Sequence, residues 1–230
     1  MNKLPFTVLL TLAAAVAWAE VPAPPTGYQL VFEETFDKDA AERFDFTDPK
    51  AWDHAEDPEG NGILSLKRPS RYTPPVRSPL NIAWVKGLEL ESFVLDVRAK
   101  QTGREYGHRD LCLFFGGVDA SHFYYVHLAS VADEHANSIF LVNNQPRVSI
   151  AEKRTDGTQW TDAYHHIRLV RDGQAGLIEV YFDDMEKPVM TAVDRHFPKG
   201  KIGLGSFDDV GNFDDLRIYA KDGALKVGKE

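Results

Sequence analysis

The chain has 230 residues, 43% hydrophobic and 27% charged, with 35 acidic against 26 basic side chains and a formal charge of -9. An acidic chain without a basic run argues against nucleic acid and anionic membrane as partners. The lone cysteine, Cys112, excludes an intrachain disulfide, so stability in an oxidising compartment rests on the core or on a bound metal. Cys112 itself lies in an apolar run and reads as a small buried hydrophobe.

At the start of the chain, Lys3, the apolar run Leu4 to Val16 and the triplet Ala17-Trp18-Ala19 have the three parts of a secretory signal. Residues 1–19 are expected to be a cleavable signal peptide, which implies a secreted or periplasmic protein. The run falls short of the about 20 residues that a span requires, so no membrane span is expected after cleavage. Without a Cys at the cleavage site, lipid attachment is not expected. Residues 20–27 form a Pro-rich lead-in, 28–221 one domain and 222–230 a tail. About 210 residues are enough for one domain with a sizeable core.

From there the sequence reads as short β-branched or aromatic runs divided by Gly, Pro and Asp turns, with almost no helical periodicity. Strands are expected near Tyr28 to Glu33, Gly62 to Lys67, Asn81 to Trp84, Phe93 to Ala99, Asp110 to Phe115, Phe123 to Leu128 and Ser138 to Val142. Others are expected near Arg147 to Glu152, His165 to Arg171, Leu177 to Phe182, Val189 to Val193, Lys201 to Ser206 and Leu216 to Ala220. Only Asp39 to Phe44 suggests a helical turn. Asp156-Gly157 and Asp172-Gly173 mark turns, and no repeat of propeller-blade length is present. The pattern favours an all-β, two-sheet antiparallel sandwich.

Between Tyr106 and Leu128 the chain reads YGHRDLCLFFGGVDASHFYYVHL, which concentrates groups able to do acid, base or anion-binding work. These are His108, Arg109, Asp110, Tyr125 and His127, and they are the candidate catalytic residues. Strand alternation puts Phe123, Tyr125 and His127 on one face, with Tyr124 and Val126 on the other. Trp84, Trp160, Tyr72 and Tyr124 are candidates to stack on sugar rings, although aromatic residues of a sandwich more often fill its core. Trp84 is a fair platform candidate, because a Lys86-Gly87 break follows it at a strand end. Arg77, Arg98, Arg104 and Arg109 could bind an acidic glycan, against the plainer role of surface charges.

The strings HHIRLVRD, LIEVYFDD, KIGLGSF and GNFDDLRIY resemble the concanavalin A-like lectin/glucanase jelly rolls, in particular laminin-G-like domains and secreted bacterial 3-keto-disaccharide hydrolase domains. The resemblance covers nearly all of the mature chain and implies a jelly-roll β-sandwich whose concave face receives a poly- or oligosaccharide. The superfamily includes lectins, glycoside hydrolases and lyases, so the activity must be argued from the site. Laminarinase-type members carry a Glu-x-Asp-x-x-Glu strand for the retaining mechanism, and this chain lacks it. Its nearest acidic group, Glu89, Glu91 and Asp96, does not match that pattern. By analogy with jelly-roll lyases, Tyr125 or His127 would be the base, Arg109 would neutralise a uronate and Asn137 would polarise it. Trp84, Arg98 and Asn137 are the candidate substrate-binding residues.

His127, Asp133 and His135 fall in one strand-loop segment, and imidazole with carboxylate could hold a divalent transition metal such as zinc or manganese. His165 and His166 diverge on a strand and cannot share an ion. The resemblance further implies a structural Ca2+ on the face away from the saccharide, for which Glu34 and Asp215 occupy comparable segments. Asp183, Asp208, Asp209 and Asp214 read equally well as turn caps. No organic cofactor is expected. Two functions follow: a hydrolase or lyase cleaving glycosidic linkages, and a noncatalytic glycan-binding module. The concentration of titratable groups favours the enzyme slightly.

Overall fold

The computed structural model describes residues 23, 24 and 26–221, so the expected signal peptide, half of the lead-in and the tail lie outside the described residues. The strands are β1 (Tyr28–Glu34), β2 (Phe44–Phe46), β3 (Trp52–Glu56), β4 (Gly62–Leu66), β5 (Asn81–Leu90), β6 (Phe93–Gln101), β7 (Asp110–Asp119) and β8 (His122–Ala129). They continue as β9 (Ser138–Asn143), β10 (Val148–Ser149), β11 (Lys153–Arg154), β12 (His165–Asp172), β13 (Leu177–Phe182), β14 (Met190–Val193), β15 (Gly200–Ser206) and β16 (Gly211–Lys221). One sheet has nine strands in the order β11-β14-β13-β12-β6-β16-β4-β3, with β1 also on β16; the other has seven, β10-β9-β8-β7-β15-β5-β2. All the pairings are antiparallel.

Alternation decides which residues fill the space between the sheets. From β6 these are Phe93, Leu95, Val97 and Ala99; from β12, Ile167 and Leu169; from β7 and β8, Leu111, Leu113, Phe115, Tyr124, Val126 and Leu128. Each fully buried Leu, Val or Phe contributes about 1.5–3 kcal/mol relative to exposure. Arg171 closes one end of this core, its Nη1 donating to the carbonyls of Gly176 and Asp194 at 2.9 and 3.0 Å.

Every expected strand is present, though the run from Arg147 is reduced to the two residues of β10. The turn expected at Asp39 to Phe44 is a 3-10 turn at Ala41–Arg43. Three short strands were not expected, β2, β3 and β11. In β2 and β3, Asp45 and Asp53 interrupt the aromatic signal, and Pro49 stands between the two. Pairing with β5 and β4 at the sheet edges supplies what their local propensity does not.

Candidate functional site

The second face of the seven-stranded sheet, turned away from the shared core, is built from cross-strand rows. Trp84 of β5 stands opposite Gly203 of β15, Gly203 opposite Phe114 of β7, Phe114 opposite Tyr125 of β8, and Tyr125 opposite Phe140 of β9. The next row runs Ile82, Gly205, Cys112, His127, Ser138. The aromatic row packs closely, with ring centroids 5.7 Å apart for Trp84 and Phe114, 5.9 Å for Phe114 and Tyr125, and 5.1 Å for Tyr125 and Phe140. These residues form a second, smaller apolar cluster with Phe123 and Val142.

Most of this face is roofed. The Arg147 guanidinium lies over Phe207 at 4.0 Å and over Phe140 at 4.9 Å, donating to Tyr125 Oη at 3.0 Å and to the His135 carbonyl at 2.8 Å. Tyr125 and Asp110 are fully buried and His127 is 3% exposed. Burial, followed by the Arg147 guanidinium, pushes the His127 pKa down to about 3, so its ring is neutral at pH 7. Burial raises the pKa values of Asp110, Cys112 and Tyr125. The Cys112 thiol donates to Asp110 Oδ2 at 3.0 Å, in keeping with a buried, unreactive role.

At the other end the row is open. Trp84 is only half-buried and lines a cleft of about 170 Å³ with Tyr72, Ile82, Phe123, Asp119 and Lys201. The indole lies on glycine: a Cβ at Gly117 would stand 2.7 Å from Trp84 Cη2, and one at Gly203 3.1 Å from Cε3. Phe114 and Phe123 meet its ring edgewise. Asp119 accepts from the Ser121 amide at 2.8 Å and pairs with His122 Nδ1 at 2.8 Å. Those contacts hold its carboxyl below the usual carboxylate range. A half-covered ring beside a carboxylate and an ammonium suits a sugar, whose C–H face can lie on the indole while its hydroxyls meet the charged groups.

The sequence-expected residues divide by location. Phe123, Tyr125 and His127 share a face, as alternation required, and Asp110 joins them. Arg109 does not: its Nη2 donates to the Trp160 carbonyl at 3.2 Å, near the edge of the inter-sheet core. The expected convergence of Arg109 with Tyr125 and His127 in an open hollow is therefore corrected, since strand alternation sends neighbours 109 and 110 apart and loops cover the other two. His108 is exposed and bonds Asp133 Oδ2 at 2.5 Å. His135 pairs instead with Glu134, so His127, Asp133 and His135 do not assemble as a ligand set. Asn137 is fully buried, its side chain accepting from the Ala129 amide and donating to the Thr155 carbonyl, which makes it a loop anchor.

Arg98 is on the opposite face of the molecule, where it lies 5.9 Å from the Tyr164 ring, so it cannot share a ligand with Trp84. The calcium expectation at Glu34 and Asp215 does not fit the residues present. Glu34 pairs with Arg43 and Asp215 with Arg217, and each carboxylate is already met by a guanidinium. Trp160 and Tyr124 are core residues. Sequence reasoning missed Arg147, Lys201, Asp119 and the glycine bed; the alternation Lys201-x-Gly203-x-Gly205 within KIGLGSF was the readable sign of a sheet face cleared for a large ring.

A larger cleft of about 670 Å³ opens between the edge strands β2 and β3. Its indole, Trp52, is 5% exposed, so that cleft offers no comparable platform.

No family model and no curated protein matches the chain. Solved structures do. A family 66 carbohydrate-binding module from Bacillus subtilis superposes with a TM-score of 0.53 at 18% identity, covering 76% of this chain and 93% of that one. The fold is a concanavalin A-like jelly roll. Domain 4 of an extracellular family 43 arabinanase from Geobacillus stearothermophilus, in complex with arabinotriose, gives a TM-score of 0.53 at 14% identity over 85% of this chain and 94% of that one. A family 43 protein from Bacillus licheniformis gives 0.57 at 11% identity, covering 89% of this chain and 41% of that one.

Proposed function

We propose that this jelly roll is an exported, noncatalytic carbohydrate-binding domain that holds a poly- or oligosaccharide against Trp84. The observation that carries the reading is the half-exposed indole on Gly117 and Gly203, at the one open end of an otherwise roofed aromatic row. The jelly rolls of a carbohydrate-binding module and of an arabinanase domain solved with arabinotriose support a saccharide as the ligand. The Lys3-led apolar run and Ala17-Trp18-Ala19 support export.

Binding is favoured over cleavage by the placement of the titratable groups. Tyr125, His127 and Asp110 are buried under Arg147 and the 207–209 loop, where a sugar cannot reach them. Glycoside hydrolysis ordinarily takes two carboxyl groups about 5–9.5 Å apart. The Trp84 cleft is lined by a single carboxylate, Asp119, already engaged by Ser121 and His122.

Affinity electrophoresis against a polysaccharide panel that includes arabinan tests this reading. Retardation by at least one polysaccharide is expected, with no new reducing ends and no unsaturated-uronate absorbance. An indole face leaving water on binding is worth roughly 1.5–3 kcal/mol, so Trp84→Ala should weaken retention by about tenfold or more. Release of reducing ends or of unsaturated products by the purified chain would replace this reading with the enzymatic one.

A further inference from the structure

We propose that the cleft between the edge strands β2 and β3 is a second binding site, one that takes a small alkylated ammonium ion and not a saccharide. β2 ends the seven-stranded sheet and β3 ends the nine-stranded one, so the sandwich is open along this edge. The opening is about 670 Å³, within the roughly 300–1,000 Å³ that small-molecule sites occupy. It shares no lining residue with the Trp84 cleft.

The floor is aromatic. Phe36 stacks on Phe44 with centroids 5.9 Å apart, Phe44 meets Phe46 at 6.0 Å, and Phe46 meets Trp52 at 5.4 Å. Phe46 is half-buried, while Phe36, Phe44 and Trp52 are almost closed off. One partly open ring is too small a surface for a sugar to lie flat on. It is enough for the methyl groups of an ammonium ion, whose charge is drawn to an aromatic face within about 6 Å.

The rim selects the sign of the charge. Asp39, Glu42, Asp45 and Asp53 line the cleft, and no lysine or arginine does. Asp45 and Asp53 are met from outside by Lys86 at 3.6 Å and Lys67 at 2.8 Å, exposed pairs that contribute little. Asp39 and Glu42 have no cationic partner among the described residues. Arg43, next to Glu42, is turned to Glu34 and lies over Phe32 at 4.1 Å. The other titratable group of the lining, His54, has its Nε2 on the Phe36 carbonyl at 2.8 Å. An organic cation therefore finds carboxylates and rings together, whereas a ligand that also carries a phosphate or carboxylate would set an anion against Asp39 and Glu42. The formal charge of -9 on the whole chain adds to the same preference.

The test titrates choline into the 15N-labelled full chain and follows the indole N–H resonances. That of Trp52 should move saturably in the millimolar range while those of Trp84 and Trp160 stay in place. The uncharged carbon isostere, with a tert-butyl group for the trimethylammonium, should bind at least about fivefold more weakly, because it keeps the methyl groups and loses the cation–π attraction. Phosphocholine should be disfavoured for the opposite reason, its added negative charge. Asp39→Asn keeps the oxygen that takes the Ala41 amide, and combined with Glu42→Gln it should weaken choline about threefold or more with little change in melting temperature. No saturable movement of Trp52, equal binding of the isostere, tighter binding of phosphocholine than of choline, or full affinity in the double variant would overturn the site.

Discussion

Two glycines beside Trp84 make separable demands. At Gly117 the first atoms an added Cβ would meet are Trp84 Cη2 and Cζ3, at 2.7 and 2.8 Å, and these belong to the half-buried indole. Gly117→Ala should therefore tilt the indole, weakening sugar retention several-fold while moving the melting temperature little. At Gly203 the obstacle is the Ala83 carbonyl at 2.6 Å, part of the sheet itself. Gly203→Ala should lower stability by roughly 1–3 kcal/mol, as overpacking does, which thermal melts would register. Asp214 offers a residue-scale check of the electrostatics. Burial, and then the neighbouring Asp215, raise its pKa to about 6. A carboxyl raised above its unfolded value favours folding below the unfolded pKa, and that advantage is lost as the pH rises through about 6. Asp214→Asn should thus be more stable than the parent at pH 8, with the gain vanishing near pH 4, as read from paired melts.

At the scale of elements, β6 and β12 show how one ladder serves two purposes. Their inward residues build the core, and the outward Asp96 takes Arg168 in a two-point bond, Nε and Nη2 each at 2.8 Å, with His166 Nε2 at 2.9 Å from the same carboxylate. Arg168→Met would leave Asp96 buried with a weakened set of partners and should cost about 3–5 kcal/mol in chemical denaturation. The sequence made this ladder easy to read, because HHIRLVRD and FVLDVRA alternate cleanly. Alternation also placed Tyr125 and His127 correctly on one face. It could not say whether that face was open, since the roof comes from Arg147 and Phe207, about 20 and 80 residues further on. For the same reason the grouping of His127 with Asp133 and His135 followed nearness in the chain, while the carboxylate that faces its Nε2 at 3.8 Å is Asp110 of β7.

Across the described residues, the recesses of the sandwich include the Trp84 cleft on the seven-stranded sheet, the Trp52 cleft between the edge strands, and the Arg98–Tyr164 recess on the nine-stranded sheet. Sugar binding is assigned to the first alone. The described domain contains three tryptophans, Trp52, Trp84 and Trp160, of which only Trp84 is half-exposed. Titrating the polysaccharide fragment that binds best into 15N-labelled protein, and following the three indole N–H resonances, tests that assignment most directly. The Trp84 resonance should move in a saturable way while those of Trp52 and Trp160 stay in place. A saturable shift at Trp52 with Trp84 unmoved would place the ligand in the wrong recess and contradict the account.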